Sequence, residues 1–349
     1  MRAYAHFIHA WERRLASRDP HKVVRPFEWG WEWLRRTPCD GLPAQPGGLH
    51  DLAAWNRRVL ADSAGFFAAA PVRDFERQGE WLRFSSPAPG PYPENNIAWA
   101  RWFPARGRPA RGAVVVLPQW NADGESHIGL CRLLQRAGIS ALRLSLPYHD
   151  RRRPAHLQRA EYTVDANVGR TIHAARQAVL DTRAALDWLA AEGYARLGIL
   201  GTSLGSCYAF LATAHEPRLR VNVFNHVSAY FGDVVWTGMT TRHVRAGLAA
   251  ALDQADAREA WRVISPASYY PRMQGAAKQN LLLCARHDLS FLPEFSRAVL
   301  AEFRQRQIAH DVRWLPCGHY TLGQLPFNFL DAWSIVRFLR RHLASEPAC

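Results

Sequence analysis

Lysine is nearly missing from this chain. Of 44 basic residues only Lys22 and Lys278 are lysine and the rest are arginine, against 30 acidic residues. A formal charge of +14 invites a nucleic acid or an anionic surface as partner. However, so strong a bias to arginine is what genome composition produces, and the arginines are spread along the chain. Their one cluster is Arg151, Arg152 and Arg153, inside "HDRRRP". No zinc-finger spacing or nucleic-acid-binding signature accompanies them. The expectation is no dedicated nucleic-acid partner, with peripheral contact to an anionic membrane left open through that cluster.

Paired cysteines are missing as well. Cys39, Cys131, Cys207, Cys284, Cys317 and Cys349 stand far apart with no C-x-x-C, mostly inside apolar segments. That pattern favours reduced, buried thiols over a disulfide framework. There is no His-Glu-x-x-His and no Cys/His ligand cluster, so no metal and no cofactor are expected. A membrane span is excluded on similar grounds. The one long uncharged run, Leu197 to Ala214, holds Gly201, Thr202, Ser203, Gly205 and Ser206 at its middle. That is a poor spanning helix but a good strand, turn and helix. The first residues, "MRAYAHFIHAWERRLASRD", lack the apolar core of a signal peptide, which gives a cytoplasmic expectation.

What is present is an apolar fraction of 48 %, enough for a substantial core. Residues 1–80 are rich in tryptophan, with Trp29, Trp31 and Trp33 in "RPFEWGWEWLRR". Alternation suggests a strand or a carbohydrate platform, whereas an extension packing its aromatic side chains on the main domain is the plainer expectation. From residue 81 to 349 the pattern becomes regular. Strand candidates are "WLRFSS", "NIAWARWF", "GAVVVLPQ", "ISALRLSLP", "RLGILGTS", "RVNVFNHV", "QNLLLCAR" and "DVRWLPCG". Helical patterns fall between the later ones, and "NFLDAWSIVRFLRRHL" ends the chain. In the longest helix, Val168, Ile172, Ala175, Val179, Leu186 and Leu189 form one apolar stripe. Strands alternating with helices of this length predict an α/β fold, a mostly parallel central sheet with helices on both faces.

In such sheets active groups lie beyond the carboxyl ends of the strands. Ser203 lies there, after "LGIL" and inside Gly201-Thr202-Ser203-Leu204-Gly205. A serine in a sharp strand-to-helix turn needs glycine on both sides, because side chains there would meet backbone. G-x-S-x-G in this setting is a nucleophile elbow. A serine hydroxyl needs a base, and the base an orienting acid, in the chain order Ser, Asp, His. Asp288 follows "NLLLCARH" and His319 follows "DVRWLPCG", both at strand ends and in that order. Asp233 in "AYFGDVVW" remains an alternative acid. His287 should point away from the site, and His226 reads as a buried, satisfied histidine. His149, Asp150, Gln119 and Asp233 are candidate pocket residues. The oxyanion hole needs two backbone donors, assigned to Leu204 and Trp120 with Gln119 as alternative.

The elbow, Asp288 and His319 together resemble the alpha/beta-hydrolase superfamily from about residue 80 onward. "RPFEWGWEWL", "LPQWNADGESHIGLC", "ALRLSLPYHDRRRP" and "GTSLGS" are similar, more narrowly, to bacterial relatives of alpha/beta-hydrolase domain-containing protein 18. The departure from the His-Gly common in hydrolases at Pro118-Gln119 weakens only the oxyanion assignment. The resemblance implies a serine hydrolase cleaving an ester or thioester, a lipid acyl ester among them, with a small lid at about 230–261. A peptidase or amidase, or a binding protein on a hydrolase fold, are the alternatives.

Overall fold

The computed structural model describes residues 2–18, 22–106 and 112–344, so Cys349 lies outside the described residues. Among the described residues nine strands form one sheet: β1 (Glu76–Gln78), β2 (Trp81–Ser85), β3 (Ile97–Phe103), β4 (Ala113–Leu117), β5 (Ser140–Leu144), β6 (Leu197–Thr202), β7 (Leu219–Asn225), β8 (Gln279–Ala285) and β9 (His310–Leu315). Their order is β1-β2-β3-β5-β4-β6-β7-β8-β9. The pairings from β1 to β5 across β2 and β3 are antiparallel, and every other pairing is parallel. All eight strand candidates are strands. The sheet, however, begins at Glu76, short of the boundary drawn at residue 81. β1 is three exposed polar residues, "ERQ", so it carries no apolar signal and is held by its backbone pairing to β2.

The central strands are buried on both sides, and their alternate residues feed two cores. Ala113, Val115 and Leu117 of β4 join the core under the helix Val168–Ala191. Val114 and Val116 join a second core with Cys131 of the helix Ile128–Arg136 and Ile335 and Leu339 of the C-terminal helix Phe327–Ala344. This is the physical origin of the continuous apolar runs: a strand covered on both faces cannot alternate.

The helix Val168–Ala191 departs from the single stripe expected of it. It is buried nearly all round, polar Arg176, Gln177, Asp181 and Thr182 included. The cause is the N-terminal region, which covers the face turned away from the sheet. Gly169 lies so close to Gly30 that a Cβ there would sit 2.0 Å from the Gly30 oxygen. Trp33 packs on His173 (ring centroids 5.3 Å), and Trp29 stacks on Trp31 (5.5 Å, 20°). The three tryptophans make neither strand nor platform, since Trp31–Leu34 is a short helix with Trp33 buried.

The arginine cluster also departs from expectation. Arg152 is fully buried, pairs with the equally buried Asp181 at 2.8 Å, and donates to the carbonyls of Asn95 and Ser145. Arg151 is exposed and lies over Trp81 and Trp99 (4.3 and 4.8 Å), while Arg153 donates to the Gln158 carbonyl. The central member of the triplet is core, so only Arg151 and Arg153 remain at the surface. Arg152→Met leaves Asp181 buried without its partner, so a loss of about 3–5 kcal/mol is expected. Arg151→Gln, losing two cation–π contacts of about 0.5–1 kcal/mol each at an exposed site, is expected to cost no more than about 2 kcal/mol. Urea unfolding of both variants checks this, and equal losses would contradict it.

Candidate active site

The strand order reverses at β4. The chain leaving β4 crosses to β5 on one side, whereas the chain leaving β6 crosses to β7 on the other. Loops that diverge in this way leave a crevice beyond the carboxyl ends of the two strands. β4 and β6 pair in register through Leu117 and Gly201, so Pro118–Trp120 and Thr202–Ser203 emerge side by side.

Ser203 has φ 56° and ψ −119°, a region that side chains rarely occupy. Its amide donates to the Asn225 carbonyl at 2.8 Å, and the helix Leu204–His215 begins at the next residue. The flanking glycines are required by contact. A Cβ on Gly201 would lie 2.1 Å from the Gly205 oxygen, and one on Gly205 would lie 2.3 Å from the Leu117 oxygen. The same contact sets the backbone after β4 directly against the start of the elbow helix.

Ser203, His319 and Asp288 come together here. Ser203 Oγ lies 3.0 Å from His319 Nε2, and His319 Nδ1 lies 3.1 Å from Asp288 Oδ2. The other carboxylate oxygen accepts the amides of Ser290 and Phe291 (2.7 and 2.8 Å). Asp288 is fully buried, which would favour its neutral form. The neighbouring His319, the close approach of His226 Nδ1 and the hydrogen bond from His319 outweigh that cost and hold the carboxyl well below its usual range. An ionised carboxylate only accepts, so His319 Nδ1 carries the proton and Nε2 is free to accept from Ser203. Burial works to lower the His319 pKa, but Asp288 prevails and raises it. Phe291 lies parallel to the imidazole at 5.4 Å and 4° and fixes its plane.

The loop carrying His319 is held from a distant part of the chain. Glu12, on the helix Arg2–Ala16, is fully buried and accepts the amides of Tyr320 (3.0 Å) and Thr321 (2.6 Å). Gly318 makes room for it, since a Cβ there would sit 2.4 Å from the Glu12 carboxyl carbon. His287 turns to the same helix, against Tyr4 and His9. No local pattern in the sequence announces Glu12, which acts some 300 residues away in the chain.

Beside Ser203 opens a narrow apolar cavity with about 60 Å³ of free room. Leu204, Cys207 and Phe210 of the elbow helix line it, together with Leu282 and Phe303. Residues 230–261 form short helices, and Phe231, Val235 and Thr241 of this segment close one side of the cavity. Asp233 does not line it and does not meet His319. It pairs with Arg258 at 2.5 Å and accepts from Gln254 at 2.8 Å, tying two of these short helices together.

His149, Asp150 and Gln119 do not line the cavity either. His149 is buried, and its Nε2 accepts the Asn121 amide at 2.9 Å while Nδ1 donates to the Pro147 carbonyl. That role requires a neutral ring, and burial lowers its pKa to about 4. Asp150 instead pairs with buried Arg143 and accepts from Ser145 at 2.8 Å. The two residues thus brace the loop after β4 from beneath. Trp120 does line the cavity, donates through Nε1 to the Ala160 carbonyl at 2.9 Å, and stacks on His243. Among the described residues, the one group with metal-ligand spacing is His226, Asp288 and His319.

His226, a buried core histidine by its sequence pattern, stands at the site. Its ring lies 4.4 Å from that of His319, and its Nδ1 is 2.8 Å from Asp288 Oδ2. The sequence held one signal: like Ser203, it follows a parallel strand at the carboxyl edge of the sheet.

Comparison with known proteins agrees with this architecture. Residues 125–248 match the family described as alpha/beta hydrolase domain containing 18. The acylaminoacyl peptidase of Pyrococcus horikoshii superposes with TM-score 0.59 at 12 % identity, over 79 % of this chain and 43 % of that one. An acetyl xylan esterase from Paenibacillus sp. R4 gives 0.55 at 12 % identity, over 93 % and 98 %. The esterase Pf2001 of Pyrococcus furiosus gives 0.52 at 15 % identity, over 76 % and 93 %. At such identities the likeness is one of fold. A curated queuine tRNA-ribosyltransferase from Janthinobacterium sp. (strain Marseille) is 40 % identical over 60 residues, 17 % of this chain and 15 % of that enzyme's length.

Proposed function

We propose that this chain, an alpha/beta-hydrolase by fold, is a serine hydrolase that cleaves carboxylic esters through an acyl-enzyme at Ser203. The observation that carries this reading is the relay of 3.0 and 3.1 Å from Ser203 through His319 to Asp288, at the mouth of an apolar cavity. Ser203 Oγ attacks the acyl carbon while His319 Nε2 takes its proton. Asp288 keeps the imidazole in the tautomer that can accept and stabilises the imidazolium. The oxyanion is met by the amide of Leu204, at the positive end of the elbow helix, and by that of Trp120 across the crevice. His319 then returns the proton to the leaving alkoxide. Water, deprotonated by the same imidazole, releases the acid.

The cavity supports a preference among acyl groups. Its free room is several times the ~10–15 Å³ that one water needs, but it is narrow and walled by Phe210, Phe224 and Phe303. A slender alkyl chain fits, and each buried methylene contributes about 0.8 kcal/mol. Among p-nitrophenyl esters, kcat/KM is expected to rise from acetate to butanoate and hexanoate and to be poor for benzoate. Thioesters of the same acids should follow the same order. A faster rate on acyl-peptide amides than on esters would move the assignment to a peptidase. No turnover of any acyl derivative would favour a binding protein.

A further inference from the structure

We propose that His226 is a positioning residue of this reaction: sharing the Asp288 oxygen used by His319, it draws off part of the carboxylate's charge and sets how basic His319 is. The inference rests on the serine-hydrolase reading above, but its first test does not require turnover.

His226 directly follows β7 and has φ +63°, in the left-handed region that is uncommon outside glycine but that Asn, Asp and His enter more often than other residues. Two contacts hold it there. Its amide donates to the Leu283 carbonyl at 2.9 Å, on the strand that delivers Asp288. Its carbonyl accepts from Ser206 Oγ, a hydroxyl that also reaches the Ser203 carbonyl at 2.7 Å. The turn is thereby tied to the nucleophile's helix on one side and to the acid's strand on the other. A backbone fixed from both sides of the relay suits a residue whose direction matters. The consequence is a ring 2 % exposed, packed beside both His319 and Phe291.

The ring's Nδ1 is buried and makes no aligned hydrogen bond, and Asp288 Oδ2 lies 2.8 Å from it. Two lone pairs at that separation would repel, so Nδ1 carries a proton. The contact is then an N–H dipole against the charged oxygen. The groups facing His226 are Asp288, His319 and, from the N-terminal helix, Glu12. Burial and the neighbouring His319 lower its pKa, so it stays neutral and adds no second cation. Asp288 is therefore approached by four N–H groups: two amides on Oδ1, and the His226 and His319 rings on Oδ2. Charge shared with His226 is charge not available to the His319 imidazolium. Removing His226 Nδ1 should make His319 more basic and leave it protonated at a pH where it now works.

The test begins with the unaltered protein. In ¹⁵N-histidine NMR, His226 should remain the neutral Nδ1–H tautomer between about pH 5 and 8 while His319 titrates. In His226→Leu the His319 midpoint should rise by about 0.5–1 unit, a three- to tenfold gain in proton affinity. The acid limb of kcat should move with it, and KM should hold. In His226→Asn the amide nitrogen stands near the lost Nδ1 and the residue tolerates φ +63°, so both readings should return toward the parent's. An Nε2–H tautomer in the parent, an unmoved His319 midpoint in His226→Leu, or no rescue by asparagine would each overturn the proposal. The parent spectrum decides even if the leucine variant does not fold. Failure of the hydrolase reading would be read separately, from the absence of fluorophosphonate labelling.

Discussion

Ser203→Ala is expected to abolish covalent labelling by a fluorophosphonate and to lower ester turnover by about 10⁵–10⁶, the scale on which loss of a triad nucleophile acts. The fold should not suffer. The hydroxyl's hydrogen bond is to His319, 3.0 Å away, and the backbone bond from the Ser203 amide to Asn225 does not involve the side chain. Alanine inherits the strain of φ 56° and ψ −119°, so its stability should match the parent's within about 0.5 kcal/mol. Ser203→Gly makes the same point from the other side. Glycine adopts this conformation without penalty, so that variant should be inactive and yet more stable, by about 1 kcal/mol. Denaturant unfolding together with labelling reads both variants. Labelling that persists in Ser203→Ala would place the reactive serine elsewhere. A glycine variant less stable than the parent would mean that the turn is not strained.

What could be read in the sequence, and what could not, follows from how far each contact reaches. β4 to β8 are buried over nearly their whole length and so appear as largely apolar runs, interrupted at positions such as Arg143, Arg220 and Asn222. Ser203, Asp288 and His319 lie just past β6, β8 and β9 and share an edge of the sheet because parallel strands end on one side. Chain order and strand ends were therefore enough to bring the three together. Residues that act by long-range contact left no such trace. Glu12 reaches the His319 loop from the first helix, and Arg152 and Asp181 pair inside the core. Each has the look of an ordinary charged residue in a polar stretch. His149 and Asp150 stood at a strand end, as active groups do, but their side chains turn under the loop after β4. His226 shows the same ambiguity resolved the other way. A strand end brings a residue to the edge, and its backbone angle decides whether it faces the relay.

The acid supplies the second large effect. Asp288→Asn should lower kcat by about 10⁴ while leaving the fold intact, because an amide matches the carboxylate in shape but not in hydrogen bonding. The Ser290 and Phe291 amides require an oxygen at Oδ1, so asparagine must turn its nitrogen toward His319. That nitrogen donates, and His319 Nδ1 must then accept. The proton moves to Nε2, which can no longer take one from Ser203. The pH profile should change as well. Asp288 now holds the His319 pKa above its ordinary value, so activity in the parent is lost as pH falls through a midpoint above ~6.5. Without the carboxylate that midpoint should fall, and the remaining activity should persist to lower pH. Asp233→Asn is the control. Its carboxylate faces Arg258 and Gln254, so the variant should loosen the helices beside the cavity and change kcat/KM only a few-fold. A loss of 10⁴ from Asp233→Asn, with Asp288→Asn nearly unaffected, would move the acid from the loop after β8 to the one after β7. The distances that place Asp288 against His319 would then not describe the working enzyme.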